Sequence, residues 1–146
     1  MNFGPLNIAG AVIVLLMLLP NIIFASRFRN AGNQCNHKAM LVLEQIGRYA
    51  SIVLMVIPLA VGEFGFRSGT AFLIYALGNV LLLLAYLIIG IAYIKNQSPK
   101  KALTLAVIPA CIFLLNGITL AHWLLIVTAV AFGVGHIYVT HQNNKS

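Results

Sequence analysis

The chain has 146 residues, 61% of them hydrophobic and 8% charged, with a mean hydropathy of +0.98 and a formal charge of +7. A soluble domain carries roughly 25% charged residues, so this composition excludes one and points to an integral membrane protein. Nucleic-acid binding is excluded too, because seven of the nine Lys and Arg residues fall in three short segments beside apolar runs, as in membrane-protein loops, and form no basic groove or stripe.

Residues 8–26 form an apolar run of 19 residues, close to the ~20 that cross ~30 Å of hydrocarbon. Arg27 and Arg29 follow this run instead of preceding it, the reverse of a signal peptide, so it reads as a first span. Pro20 frees the carbonyl of Leu16 and kinks the helix, with Asn21 beside it to satisfy backbone groups. The polar segment RFRNAGNQCNHKA at 27–39 is a basic loop with turn chemistry. A second span over 40–62 carries Glu44 and Arg48 four residues apart, on one face and in the favourable acid-first order, with Pro58 as a kink near its far end. Counted back from Gly62, Arg48 lies about 9 Å inside the hydrocarbon boundary and Glu44 about 3 Å. Glu44 is therefore expected to reach headgroups, and Arg48 to snorkel, pair with Glu44 or face the bundle interior. On that reading, removing Glu44 costs more than removing Arg48, because it strands the deeper charge.

After a short loop with Arg67, residues 70–94 form a third span of 25 uncharged residues. Its Tyr75, Asn79, Tyr86 and Tyr93 fall within about 40° of one another on a helical wheel, a face expected to pack on protein. The loop KNQSPKK follows, and then 43 residues between Lys101 and Lys145 without a charge. One helix of that length would measure about 65 Å, twice the membrane, so the run must fold back. Asn116-Gly117 is the turn signal, giving a fourth span over 102–116, kinked at Pro109, and a fifth over 119–140. His122 beside Trp123 reads as an interfacial pair. Ala129, Gly133, His136 and Thr140 make a mostly small face suited to close helix contact.

The expected fold is an all-α integral membrane five-helix bundle, residues 1–146 forming a single transmembrane domain. Seven basic residues in connections and tails lie on one side against Arg67 on the other, which places the N-terminus outside and the C-terminus in the cytoplasm.

The polar residues inside spans mark the candidate site. Asn21, Glu44, Arg48, Tyr86 and His136 come from four spans at similar distances from the cytoplasmic ends. They are expected to form a polar pocket, with Arg48 anchoring an anion or lipid headgroup and Glu44 or His136 carrying a proton. The competing reading is a structural lock of Glu44 on Arg48, with the other three as interhelical hydrogen bonds. Cys35, His37 and His141 are spaced too loosely for a metal site, and Cys35 in a loop and Cys111 in a span are not placed to pair. Ser51, a serine well inside a span, stands in no nucleophile motif.

The segments LLPN at 18–21, EQIGRY at 44–49 and FGVGHIYVT at 132–140 resemble small polytopic membrane proteins of bacteria. The resemblance covers most of the chain and implies a location in the inner membrane; it carries no activity. The expected function is non-enzymatic, as a transporter-like binder or accessory membrane subunit; the alternative is an intramembrane lipid-modifying enzyme. Expected partners are the lipid bilayer, further copies of the chain meeting through the small-residue faces of spans one and five, and a small anionic or lipid ligand. No cofactor, metal or catalytic residue is expected.

Overall fold

The computed structural model describes residues 7–27, 37–57 and 66–143, without the side chains of 24–27. They form five helices: α1 (Ile8–Arg27), α2 (Lys38–Val56), α3 (Gly69–Lys95), α4 (Pro99–Thr119) and α5 (Trp123–Asn143). The fold is an all-α bundle. By length and composition α2, α3, α4 and α5 can each cross a membrane, while in α1 the described apolar stretch Ile8–Ile23 is shorter.

Each helix starts on a polar side chain that accepts the amide three residues on. Asn7 Oδ1 takes Gly10 N at 2.9 Å, His37 Nδ1 takes Met40 N at 3.3 Å and Ser68 Oγ takes Ala71 N at 3.1 Å. Ser98 Oγ takes Lys101 N at 3.3 Å, and His122 Nδ1 takes Leu125 N at 3.0 Å. Each cap satisfies an amide that helix geometry otherwise leaves orphaned, a need sharpened where lipid replaces water. Burial pushes the His122 imidazole below its ordinary range, which keeps it the neutral acceptor that this role requires.

Packing runs in a ring. α5 lies between α2 and α4, α4 packs on α3, and α1 closes the ring against α2 and α3 with the sparsest contacts. Residues that read as loop signals turn out to be packing residues. The expected turn at Asn116-Gly117 lies inside α4: the Asn116 Nδ2 donates to Asn79 Oδ1 and to Ile112 O, and a Cβ on Gly117 would sit 3.0 Å from the backbone nitrogen of Ile126. The chain reverses three residues later. His122 N donates to Gly117 O at 2.8 Å and Ala121 N to Ile118 O at 3.2 Å, the paired bonds of a Schellman cap, with Ala121 in the left-handed position at φ 53°. His122 therefore points inward, 0% exposed, while Trp123 is 59% exposed; they are not an interfacial pair.

α2 stops at Val56, with Ile57 already extended at φ −118° and ψ 125°. A residue before proline is driven out of the helical region, so the helix ends ahead of Pro58 instead of kinking there; Pro58 itself lies outside the described residues. In α1, Pro20 stays within the helix, and the Asn21 Nδ2 bonds the carbonyl of Met17, not that of Leu16.

The buried face of α3 is Tyr75, Asn79, Leu83, Tyr86 and Gly90, whereas Leu77, Leu81, Ile88 and Ile91 point outward. A helix of a water-soluble protein has the opposite arrangement, so the medium around α3 is apolar. Three of the four residues expected on its protein-facing side are buried, and Tyr93 is half-buried.

Ala121 supplies a test of the α4–α5 reversal. A left-handed residue with a Cβ costs roughly 1–2 kcal/mol that glycine avoids, partly offset by the greater freedom of glycine in the unfolded chain. Ala121→Gly is expected to stabilise by about 1 kcal/mol and to raise the midpoint of thermal unfolding in detergent by a few degrees, with Ala121→Val moving it the other way. An unchanged midpoint in both would contradict the left-handed cap.

Candidate functional site

The site is built where α2 and α5 touch backbone to backbone. A Cβ on Gly47 would lie 2.6 Å from the nitrogen of Phe132, and a Cβ on Gly135 would lie 2.7 Å from the nitrogen of Glu44. One turn further along, Ser51 Oγ donates to Thr128 Oγ1 at 3.1 Å. These pairs keep a constant antiparallel register, and glycine at the two tightest points lets the axes approach as closely as small-residue membrane contacts allow.

That register delivers His136 to Glu44. Glu44 Oε1 receives the Arg48 Nη2 at 2.6 Å along its own helix and lies 2.8 Å from the Nδ1 of His136 across the interface. An ionised carboxylate only accepts, so Nδ1 carries the proton and donates, which leaves the imidazole Nε2 for other partners. Phe132, one turn before His136, stacks on its ring at 4.8 Å between centroids and 16° between planes. The Arg48 guanidinium carbon sits 5.8 Å from the centre of the Phe132 ring, within reach of a cation–π contact.

Cover by the protein, as distinct from depth in the membrane, falls unevenly on the cluster. The Glu44 side chain is 6% exposed against 31% for Arg48 and 23% for His136. The reason is tertiary: Gly135 seats α5 directly on the backbone and Cβ of Glu44, while Arg48 lines a gap beside α1.

The gap is a cleft of about 40 Å³ between α1, α2, α4 and α5. Asn21, Arg48 and His136 line it together with apolar residues that include Met17, Pro109, Phe113 and Phe132. Behind Asn21, the buried Tyr86 donates its hydroxyl to Asn21 Oδ1 at 2.8 Å, and Asn21 Nδ2 donates to Met17 O at 3.1 Å. The five residues expected to cluster therefore form two bonded groups. Glu44, Arg48 and His136 make one, Asn21 and Tyr86 the other, and both face one cleft.

Phe132, Pro109 and Phe113 also line the cleft; the sequence marks Pro109 as a kink but none of the three as a site residue, since phenylalanines in apolar spans are the background. Ser51 is fully buried and bonded to Thr128. Cys111 is exposed on α4. Cys35 lies outside the described residues, and among the described residues no three His, Cys, Asp or Glu side chains are grouped to hold a metal ion. His37 instead meets Tyr138 edge to face, with ring centroids 5.7 Å apart. Of the small-residue face expected on α5, Ala129 is buried and a Cβ on Gly133 would lie 3.2 Å from the Cβ of Ala110, so both pack within the bundle. A second polar group, Tyr75, Asn79 and Asn116, ties α3 to α4 toward the other end of the bundle, where Asn79 Nδ2 donates to Tyr75 O at 2.7 Å.

Cover by the protein gives an order of costs opposite to the one expected from membrane depth. Arg48→Met leaves a covered carboxylate with His136 alone, whereas Glu44→Gln leaves an arginine that can still reach the cleft. Breaking a buried pair costs about 3–5 kcal/mol when the stranded group is sealed. Arg48→Met is thus expected to cost about 3 kcal/mol, Glu44→Gln about 1 kcal/mol, and the double variant less than the sum of the two. Unfolding of the purified variants measures this cycle; a larger loss for Glu44→Gln would show that the arginine, not the carboxylate, is the sealed charge.

Compared with known proteins, the chain matches no family profile, no curated protein and no solved structure.

Proposed function

We propose that the protein is a non-enzymatic membrane-embedded binder of transporter-like type, which holds a small ligand in the cleft between α1, α2, α4 and α5. The observation that supports this reading is the division of labour at Glu44. One covered carboxylate oxygen orients both Arg48 and His136, and the rest of each side chain is left to the cleft that both line. The lock accounts equally well for the Glu44–Arg48, Glu44–His136 and Tyr86–Asn21 bonds, but it does not require a cleft lined by Asn21, Arg48 and His136 together. The stacking of Phe132 on His136 and the pinning of Asn21 by Tyr86 fix two further lining groups in place, as a preorganised site does.

Two polar lining residues, Asn21 and His136, stand nearer the ends of α1 and α5 where α2 begins with Lys38, α3 ends with Lys95 and α4 begins next to Lys100 and Lys101; Arg48 is at mid-helix, and Arg67 is at the opposite side. The positive-inside rule then places the cleft in the cytoplasmic half of the bacterial inner membrane, the N-terminus outside and the C-terminus in the cytoplasm. Reporter fusions at the N-terminus, after Phe66 and at the C-terminus are expected to read outside, outside and inside; termini on one side would overturn this orientation.

Binding is tested by pairing stability with ligand response. Wild-type protein in detergent, challenged with small-molecule and lipid fractions of its own cells, is expected to gain about 2.7 kcal/mol at a hundredfold excess over Kd. The double variant Glu44→Gln with Arg48→Met is expected to stay folded and gain none. A stable double variant that keeps the full response, or that fully complements a deletion strain, would remove the cleft from function. A lipid that accumulates on deletion and is turned over by the purified protein would replace binding with catalysis.

A further inference from the structure

Resting on the reading of the cleft as a binding site, we infer that its ligand is a small monovalent anion and that it enters together with one proton, held on the Nε2 of His136. The volume suits a small ion. About 40 Å³ of cleft admits roughly three waters, or one ion such as chloride, formate or nitrate. Donors set the sign. Among the described residues Arg48 spends one N–H on Glu44 and no other, and the Asn21 amide, its oxygen engaged by Tyr86, turns its nitrogen to the Met17 carbonyl with a second hydrogen to give. Arg48, Asn21 and His136 all line the cleft.

Charge balance sets the coupling. The groups facing His136 are Glu44 and Arg48, both on α2; α1 brings Asn21 and α4 brings Pro109 and Phe113, none of which titrates. Tyr86 of α3 reaches the cleft only through Asn21. With His136 neutral, Glu44 and Arg48 cancel, and an anion would place an uncompensated charge in a poorly solvated site beside a carboxylate. With His136 protonated, the empty cluster carries one positive charge and the occupied one is neutral. In that state the Glu44 carboxylate accepts from Nδ1 as it does already, now in a bond charged on both sides. The added proton goes to Nε2, the nitrogen that is left on the cleft.

The experiment uses the full chain in phosphatidylcholine nanodiscs with sodium chloride, formate or nitrate against gluconate at constant ionic strength. Binding is read by chloride-35 line broadening with competition by the other anions, and proton uptake by an indicator dye in weak buffer. The expected result is binding that strengthens as pH falls, by up to about tenfold per pH unit, with about one proton taken up per anion bound at pH 8. His136→Asn is expected to lose the proton uptake and the pH slope together; should that variant not fold, the wild-type proton count decides alone. Anion binding without proton uptake would overturn the coupling and leave the binding site standing. Failure of all three anions, with stabilisation by phosphatidic acid or phosphatidylglycerol doped into the discs, would overturn the free anion in favour of a lipid headgroup phosphate. No response to either, together with full complementation by the Glu44→Gln, Arg48→Met double variant, would overturn the binding reading itself.

Discussion

The close approach of α2 and α5 is the contact on which the rest of the molecule depends. Two glycines, Gly47 and Gly135, stand where a Cβ would collide with the backbone of the opposite helix. Because lipid tails are as apolar as leucine, burying leucine against leucine gives membrane helices little reason to associate, and van der Waals contact at small residues takes over. The register set by these two points places Ser51 against Thr128, Gly47 under Phe132 and His136 beside Glu44. The polar cluster is thus a product of the helix contact, made of whatever lies one residue or one turn from each glycine.

Hydrogen bonds between spans supply the second set of constraints. Asn79 with Asn116 joins α3 to α4, Tyr86 with Asn21 joins α3 to α1, and Ser51 with Thr128 joins α2 to α5. Each is worth only about 0.6 kcal/mol on average in a membrane, too little alone to fix a bundle. Their arrangement matters more than their sum, because each sets the rotation of a helix whose outer face is uniformly apolar and indifferent to rotation. For α3 this is decisive: its leucines and isoleucines cover the outer surface, and its polar residues select the inner one.

α1 closes the cleft, and this explains how a charged residue can occur there without being sealed itself. Arg48 is oriented by Glu44, steadied over Phe132 and open on the side toward α1, so its charge is neither fully desolvated nor free to wander. Glu44 is in the opposite condition, covered and committed at one oxygen to two donors. An isolated carboxylate in that place would be prohibitively costly, and two charge-assisted donors at 2.6 and 2.8 Å offset the loss of water.

Composition and charge distribution alone determine that this is a membrane protein of five apolar segments, because the cost of burying charge in hydrocarbon leaves so few ways to distribute nine basic residues. The helical wheel of α3 is legible for the same reason, since periodic polar residues in an apolar span must face protein. The i, i+4 pairing of Glu44 with Arg48 follows from helix geometry and needs no tertiary information. Tertiary structure decides what depends on a second helix. Asn116-Gly117 reads as a turn because Asn and Gly favour turns locally, but Asn79 and Ile126 across the interface give those residues a better use within α4. Glu44 is the covered member of its pair because Gly135, 91 positions later, seats α5 on its backbone. His122 and His37 serve as helix caps, a role that only the amide three residues on reveals. Phe132 joins the site through a stacking geometry that leaves no mark in an apolar run, because in such a run every phenylalanine looks alike until the packing of its neighbours assigns it a partner.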